Sequence, residues 1–100
     1  MIVKAKTVLD ASESFVKVVV DINRNILALG CELHMDCAQE LLDNGSVYKN
    51  LWGANIYPKT KKIDFISLVN IRPEVGNRTM EIQKPEVKKA VEFVVRQLLF

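Results

Sequence analysis

Cysteine is scarce in this sequence, and its scarcity excludes several classes of small protein. Only Cys31 and Cys37 are present among 100 residues, so the chain is not a disulfide-rich scaffold. These two cysteines have no second pair with which to complete a zinc site. Because nothing in the sequence indicates secretion, we expect them to be reduced and buried rather than bridged.

Long apolar runs and an excess of charge of one sign are also absent. No stretch approaches the roughly 20 apolar residues of a membrane span. The first residues, 1–6, lack the apolar core of a signal peptide. We therefore expect a cytoplasmic protein without a membrane partner. The 14 basic and 12 acidic residues leave a net charge of +2, which gives no argument for nucleic-acid binding.

The common nucleotide-binding and hydrolase motifs are missing as well. The sequence has no phosphate-binding loop, no dinucleotide-binding glycine pattern and no G-x-S-x-G element. Lys59, Lys61 and Lys62 form a basic cluster, but only Tyr57 is near enough in sequence to stack on a base. A solvated hairpin tip explains these lysines better, so we do not expect a nucleic-acid partner.

The residues that are present make an ordinary globular composition, with 49% apolar and 26% charged residues. The length predicts a single domain over residues 1–100. Three segments begin with a helix signal, which is either a capping box or a proline in the first turn. They predict helices over residues 11–16 after Asp10, from the cap Asp36 to Asn44-Gly45, and from Pro85 to the end of the chain.

Four segments rich in β-branched or alternating apolar residues predict strands. The predicted strands run from Phe15 to Ile22, Ile26 to Leu33, Leu51 to Tyr57 and Ile63 to Arg72. Short turns join them in two pairs, so each pair must be an antiparallel hairpin. With the helices, the order is α-β-β-α-β-β-α. We expect an α+β two-layer sandwich, in which three helices cover one face of an antiparallel sheet of about four strands.

Four motifs stand out along these elements. They are V-D-I-x(4)-L-A-x-G-x-E-L-H-x-D at Val20–Asp36, L-L-x-x-G-S at Leu41–Ser46, L-W-G-x-N-x-Y-P at Leu51–Pro58 and N-I-R-P-x-x-G-N-R at Asn70–Arg78. Together they resemble an uncharacterised family of small bacterial and archaeal proteins, a domain of unknown function. The resemblance covers most of the chain and implies a prokaryotic protein. It implies no particular activity.

Glu32, His34 and Asp36 are candidate metal ligands. Alternate residues of a strand point to the same face, so the three side chains would converge if the strand extended to Asp36. Their oxygen and nitrogen atoms suit zinc, manganese or iron, and a metal-bound water is the nucleophile of many hydrolases. Asp21, on the partner strand, is a candidate fourth ligand. In the structural alternative, Asp36 only caps a helix, Glu32 is solvated and His34 bonds the backbone.

The polar loop, residues 70–79, holds a second group of candidates. Arg72, Asn77, Arg78 and Thr79 place several hydrogen-bond donors within one turn. Arginine matches the geometry of carboxylate and phosphate groups, and the N–H groups of a turn add further donors. These residues predict a site for an anionic ligand.

The alternative is that the same loop is a structural turn. Arg72 would then pair with Glu74 or Glu81, and Asn70 and Asn77 would bond the backbone of the loop. Polar side chains in loops satisfy nearby backbone groups more often than they bind ligands. The sequence leaves both interpretations open.

The third predicted strand contributes a further candidate surface. Trp52 and Ile56 share the face that we expect in the core, while Asn55 and Tyr57 share the opposite face. Tyrosine and asparagine on an exposed sheet face suit recognition of a ligand. Gly53, in the middle of the strand, permits the close approach of a helix or a ligand, or marks a bulge.

We expect a non-enzymatic binding or interaction domain. It would present the polar loop, with Asn55 and Tyr57, to an anionic small molecule or an acidic protein segment, since no complete catalytic set occurs elsewhere. The competing hypothesis is a metal-dependent hydrolase that uses the three candidate metal ligands, and no other cofactor is expected. The apolar arc of the last helix, with Phe93 beside Phe100, also predicts a homodimer. In the alternative, the first predicted helix covers these two residues within one monomer.

Overall fold

Five antiparallel strands form a single sheet in the computed structural model, which describes residues 1–100. In chain order they are β1 (Ile2–Val3), β2 (Val16–Asp21), β3 (Ile26–Leu29), β4 (Leu51–Tyr57) and β5 (Lys62–Asp64). The spatial order is β1-β3-β2-β4-β5. The helices are α1 (His34–Asp43) and α2 (Pro85–Leu99), and short 3-10 turns occur at Tyr48–Asn50, Leu68–Asn70 and Pro73–Val75. The α+β class is confirmed, but there are five strands rather than four and two α-helices rather than three.

The two predicted hairpins are present, and they join edge to edge through β2 and β4. In that junction Val19 lies opposite Gly53. The turn between β2 and β3 is held by Asp21, whose Oδ1 accepts the N–H groups of Asn23 and Arg24 at 2.9 and 3.0 Å. Asn25 completes the turn with a φ of 56°, which asparagine tolerates better than most residues.

The helices cover opposite faces of the sheet, so the fold has three layers and the predicted two-layer arrangement is wrong. The reason is that buried apolar residues of the central strands lie on both faces of the sheet. Val18 and Val20 of β2 lie on one face, and Val19 of β2 lies on the other with Ala28 of β3, so both faces need cover. One core consists of α2 residues packed on Val18, Val20, Leu27, Trp52, Ala54 and Ile56. The other consists of Cys37, Ala38 and Leu41 of α1 packed on Val19, Ile26, Ala28 and Leu51.

The predicted first helix, residues 11–16, does not form. The Oδ1 atom of Asp10 accepts the N–H of Ser12 at 2.9 Å, and the N–H of Glu13 donates to the Asp10 carbonyl at 3.2 Å. These bonds make a turn stabilised by the aspartate side chain. A capping box and such a turn begin with the same residues, so the sequence signal does not separate them.

The second strand of the first hairpin is shorter than predicted. β3 ends at Leu29 because Gly30 adopts a φ of 82° and turns the chain out of the sheet. Helix α1 then begins at His34, so Asp36 lies in its first turn instead of at its N-cap. The predicted partner of that cap, Gln39, donates to Asp43 at 2.9 Å instead.

Cys31 and Cys37 form a disulfide, so the prediction of two reduced cysteines is wrong. The turn at Gly30 brings Cys31 alongside the first turns of α1, where the two Cα atoms lie 5.7 Å apart. That separation is within the ordinary range for a disulfide. Cys37 is fully buried, as predicted, whereas Cys31 is half-buried.

Neither helix combines the length and the apolar character that crossing a membrane requires.

Candidate functional site

The loop between β5 and α2, residues 65–84, replaces most of the predicted fourth strand and contains the polar loop. We call it the β5–α2 loop. After β5 ends at Asp64, backbone bridges join Ile66 to Glu81 and Arg72 to Asn77. The loop is therefore a closed structure with its ends together, and it crosses the part of β4 that β5 leaves uncovered.

Asn70 holds this loop against β4 through its side chain. The N–H of Gly53 donates to Asn70 Oδ1 at 2.8 Å, and Asn70 Nδ2 donates to the Gly53 carbonyl at 3.0 Å. The same Nδ2 atom donates to the Met80 carbonyl at 3.0 Å. Asn70 is fully buried. Its amide group thus occupies the place of a neighbouring strand beside β4.

Gly53 makes the close approach of the loop possible. A Cβ atom at this position would lie 2.5 Å from both Cβ and Oγ of Ser67 and 2.9 Å from Cγ2 of Val69. Real Cβ atoms do not come that close to other heavy atoms, so any side chain would displace the first 3-10 turn of the loop. Of the alternatives predicted for Gly53, a close approach is present, and the element that approaches is this short 3-10 turn.

Arg72 is the second anchor, and only 3% of it is exposed. Its Nε donates to the Val69 carbonyl at 3.1 Å and its Nη1 to the Lys49 carbonyl at 3.3 Å. Its Nη2 donates to the Leu51 carbonyl at the start of β4. One guanidinium group therefore satisfies carbonyls in the loop, in the turn before β4 and in β4 itself.

No carboxylate pairs with Arg72, although the structural interpretation of the sequence expected Glu74 or Glu81 to do so. The guanidinium carbon instead lies 4.4 Å from the ring centre of Tyr48 and 4.5 Å from that of Trp52. Burial lowers the pKa of Arg72 from its ordinary value, and the nearby Tyr48 opposes that shift. Carbonyl dipoles and two aromatic rings stabilise the charge here.

Asn77 is the third buried anchor and closes the loop on itself. Its Nδ2 atom lies 2.8 Å from the Asn70 carbonyl, 3.1 Å from that of Thr79 and 3.0 Å from that of Glu81. Its Oδ1 accepts the N–H of Gln83 at 2.8 Å. Arg72 and Asn77, two of the predicted ligand-binding residues, therefore direct their polar atoms inward to the backbone.

The outer surface of the β5–α2 loop has a different character. Arg78 is exposed, and its guanidinium group makes no hydrogen bond or ion pair within the chain. Thr79 is also exposed, with its hydroxyl donating to the Glu81 carbonyl at 3.1 Å. Large apolar side chains share this surface. They are Leu68, Ile71, Val75 and Met80, with exposed fractions from 41% to 72%.

Asn55 and Tyr57 lie elsewhere, on the half of β4 that pairs with β5. The Tyr57 hydroxyl donates to Asp64 Oδ2 at 3.3 Å. The Oδ1 atom of Asn55 is buried without a hydrogen-bond partner, and Lys17 lies opposite Asn55 in the sheet. No hydrogen bond joins either residue to the β5–α2 loop. The six predicted ligand-binding residues thus fall into two separate places.

Glu32, His34 and Asp36 do not form a group that could hold a metal ion. The strand that was expected to align them ends at Leu29, so Glu32 is exposed in the turn before α1 and Asp36 is exposed in the first turn of α1. His34 is half-buried, and its Nε2 lies 2.9 Å from the Ala54 carbonyl. Burial lowers the pKa of His34, and the hydrogen bond to Ala54 partly opposes that shift.

One feature of the surface has no counterpart in the predictions. A cleft of about 320 Å³ opens beside the half-buried Cys31, between the start of β2 and the turn at Gly30. The sequence signal for it is the Gly30-Cys31 pair, because a glycine with positive φ ends the strand and turns the cysteine outward. That signal is recognisable only when the end of β3 is known.

Comparison with known proteins identifies the family of the chain but indicates no activity. No curated protein and no solved structure shows significant similarity to the chain. A family model described as a protein of unknown function (DUF5674) matches residues 2–98. This match confirms the resemblance to a domain of unknown function that the motifs indicated. The chain therefore belongs to the DUF5674 family.

Proposed function

We propose that the protein is a non-enzymatic binding domain whose β5–α2 loop holds an acidic segment of a partner protein. One observation supports this proposal above the others. Three buried polar side chains fix the loop from the inside, while its outer surface carries unpaired arginine and large apolar side chains. Binding residues are commonly found on a loop that a rigid scaffold positions in this way.

The chemistry of the outer surface favours a protein segment over a small anion. Arg72 and Asn77 use their polar atoms on backbone groups, which leaves Arg78 as the free guanidinium for an anion. The exposed Leu68 and Val75 offer contacts that only a partner with apolar side chains can use. A segment with both acidic and apolar residues matches both parts of the surface.

The other expectations about function stay predictions. Nothing in the geometry favours the metal-dependent hydrolase, because its three candidate ligands lie apart. A role for Asn55 and Tyr57 in ligand binding, a cytoplasmic location, a prokaryotic source and a homodimer are likewise proposals.

The proposal can be tested by NMR titration of isotope-labelled protein. The probes are a synthetic peptide of alternating leucine and glutamate, a glutamate-only peptide and inorganic phosphate. We expect the mixed peptide to shift the amides of Leu68, Val75 and Arg78 at lower concentrations than either other probe. Arg78→Glu should weaken binding about tenfold, since it replaces an attraction with a repulsion.

Lys59→Glu is the matched control, because it makes the same change of charge on an exposed lysine of the β4–β5 turn. It should leave the affinity within about twofold of the original, since the turn lies outside the proposed surface. The binding proposal fails if the mixed peptide leaves the loop amides unmoved. If Arg78→Glu and Lys59→Glu weaken binding equally, the acidic peptide is attracted by the overall positive charge and not by the β5–α2 loop.

A further inference from the structure

The two sulfur atoms of the disulfide have very different surroundings. Cys37 is fully buried in the core between α1 and the sheet. Cys31 is half-buried and lines the cleft of about 320 Å³. The cleft therefore gives a thiol from solution access to Cys31 but not to Cys37, which does not line it. Access to one sulfur is a main determinant of whether a disulfide exchanges.

We propose that Cys31–Cys37 is an exchangeable disulfide, in which Cys31 reacts with a small cationic thiol that binds in the cleft. This inference is independent of the β5–α2 loop and its partner. The volume of the cleft lies at the lower end of the range for small-molecule sites, which suits a low-molecular-weight thiol.

Both redox states fit the same fold. Glu40 Oε2 lies 3.4 Å from Cys31 Sγ, so a reduced Cys31 has a carboxylate to which its S–H can donate. A reduced Cys37 is a small apolar group in an apolar core and needs no partner. Both reduced sulfur atoms therefore have a suitable environment. The disulfide bond can break and form again without unfolding of the domain.

The reaction is an ordinary two-step exchange. The incoming thiol gives up its proton and its sulfur bonds Cys31 Sγ, while the Cys31–Cys37 bond breaks and its electron pair goes to Cys37, which is then protonated. A second thiol attacks the mixed disulfide at the sulfur of the first, and Cys31 leaves and takes a proton. Two small thiols are oxidised to one disulfide, and the protein disulfide is reduced by two electrons.

The charge around the cleft selects the thiol. Glu13 and Glu32 line it, and Glu40 contacts the reacting sulfur. Against these three carboxylates stand Lys17, whose Nζ donates to the Glu32 carbonyl at 2.5 Å, and the α-amino group of Met1, 2.8 Å from Glu40. The excess of negative charge attracts a cationic thiol and repels an anionic one.

The experiment follows the opening of the disulfide in the folded, oxidised protein by alkylation and mass spectrometry. The probes are cysteamine, which is cationic, and 2-mercaptoethanesulfonate, which is anionic, at equal thiolate concentrations. We expect both to open the disulfide without denaturant, with cysteamine faster by about threefold or more. When the Cys37→Ser variant, whose Cys31 is a free thiol, is treated with cystamine (the disulfide of cysteamine), Cys31 should displace one cysteamine and retain the other as a mixed disulfide.

A charge variant and its control test whether the preference for the cationic thiol comes from the cleft or from the rest of the surface. The double variant Glu13→Gln/Glu32→Gln should bring the ratio of the two rates to one or below, because the two cations then outnumber the remaining carboxylate, Glu40. Glu86→Gln/Glu92→Gln makes the same change of charge on α2 and should keep the ratio unchanged. Three results would overturn the proposal: thiols that appear only in denaturant, equal rates for the two probes in the unmodified protein, or an adduct on Cys37 when a Cys31→Ser variant is treated with cystamine.

Discussion

Arg72 shows how a buried charge can be stabilised without an ion pair. A lysine could not replace it, because an ammonium group is compact and lacks the planar fork that reaches carbonyls in three directions. The nearby aromatic rings of Tyr48 and Trp52 add an attraction that suits a flat cation. The arginine is thus required by the shape of its surroundings as much as by their charge.

We therefore predict that Arg72→Lys lowers the free energy of unfolding by about 3 kcal/mol, because buried carbonyls lose their donors. Urea denaturation followed by circular dichroism measures this change. The control Arg78→Lys, on the outer surface of the same loop, should stay within about 0.5 kcal/mol of the original. Similar losses for the two variants would show that the bonds of Arg72 contribute little.

His34 gives the protein a pH dependence of known sign. Because burial lowers its pKa below 6.5, the unfolded chain binds a proton more readily than the folded one. The stabilisation is fully present above pH 6.5 and is lost as the pH falls through the folded pKa of His34. His34→Gln should flatten the stability profile between about pH 5 and pH 7, where carboxylates contribute little.

Two measurements check this prediction. Since His34 is the only histidine, its ring signals in an NMR titration report its pKa directly. Denaturation at a series of pH values then compares the original protein with the glutamine variant. A His34 pKa at or above its ordinary value would contradict the prediction.

At the scale of the elements, the disulfide ties the turn after β3 to helix α1. The sequence separation of the two cysteines is only 6, so the loop-closure model gives a stabilisation of about 2 kcal/mol. We expect a reductant to lower the free energy of unfolding by that amount while the far-ultraviolet spectrum stays unchanged. In a Cys31→Ala/Cys37→Ala variant the reductant should have no effect. Loss of helix signal on reduction would contradict this expectation.

The sequence predicted the elements whose signals are long and regular. Helix α2 and the hairpin of β2 and β3 follow from apolar periodicity and turn residues, and both are present. It failed where one residue decides between two local structures. Gly30 ends β3, although the apolar alternation continues to Leu33, and the signals at Asp10 fit a turn as well as a helix.

The candidate site was predictable only where a local sequence pattern indicates it. The polar loop was recognisable from its composition, and Gly53 from its position inside a strand. Which polar residues face inward depends on the edge of β4 that they meet. That edge is defined by where β5 stops, and no local pattern encodes it.

At the scale of the whole molecule, α2 covers the sheet with one side and leaves Phe93 59% exposed on the other. We expect this side of α2 to be buried in the interface of a two-fold symmetric dimer. Sedimentation equilibrium at micromolar concentration should give the mass of a dimer, and Phe93→Ser should give that of a monomer. Leu68→Ser, which removes an exposed apolar side chain from the β5–α2 loop, should leave the dimer intact. A monomer in the unmodified protein would reject the prediction.

The edge of β4 beside Asn70 has a consequence for the protein in concentrated solution. There the side chains of Asn70 and Arg72, rather than another strand, bond the backbone of β4. Residues 51–54 behind them are buried and apolar, so a released edge is a template for another strand. Asn70→Ala should therefore promote assembly into fibrils from a largely folded state, visible as thioflavin T fluorescence well below the melting temperature. The side chain that positions the loop would then also keep the protein from polymerising.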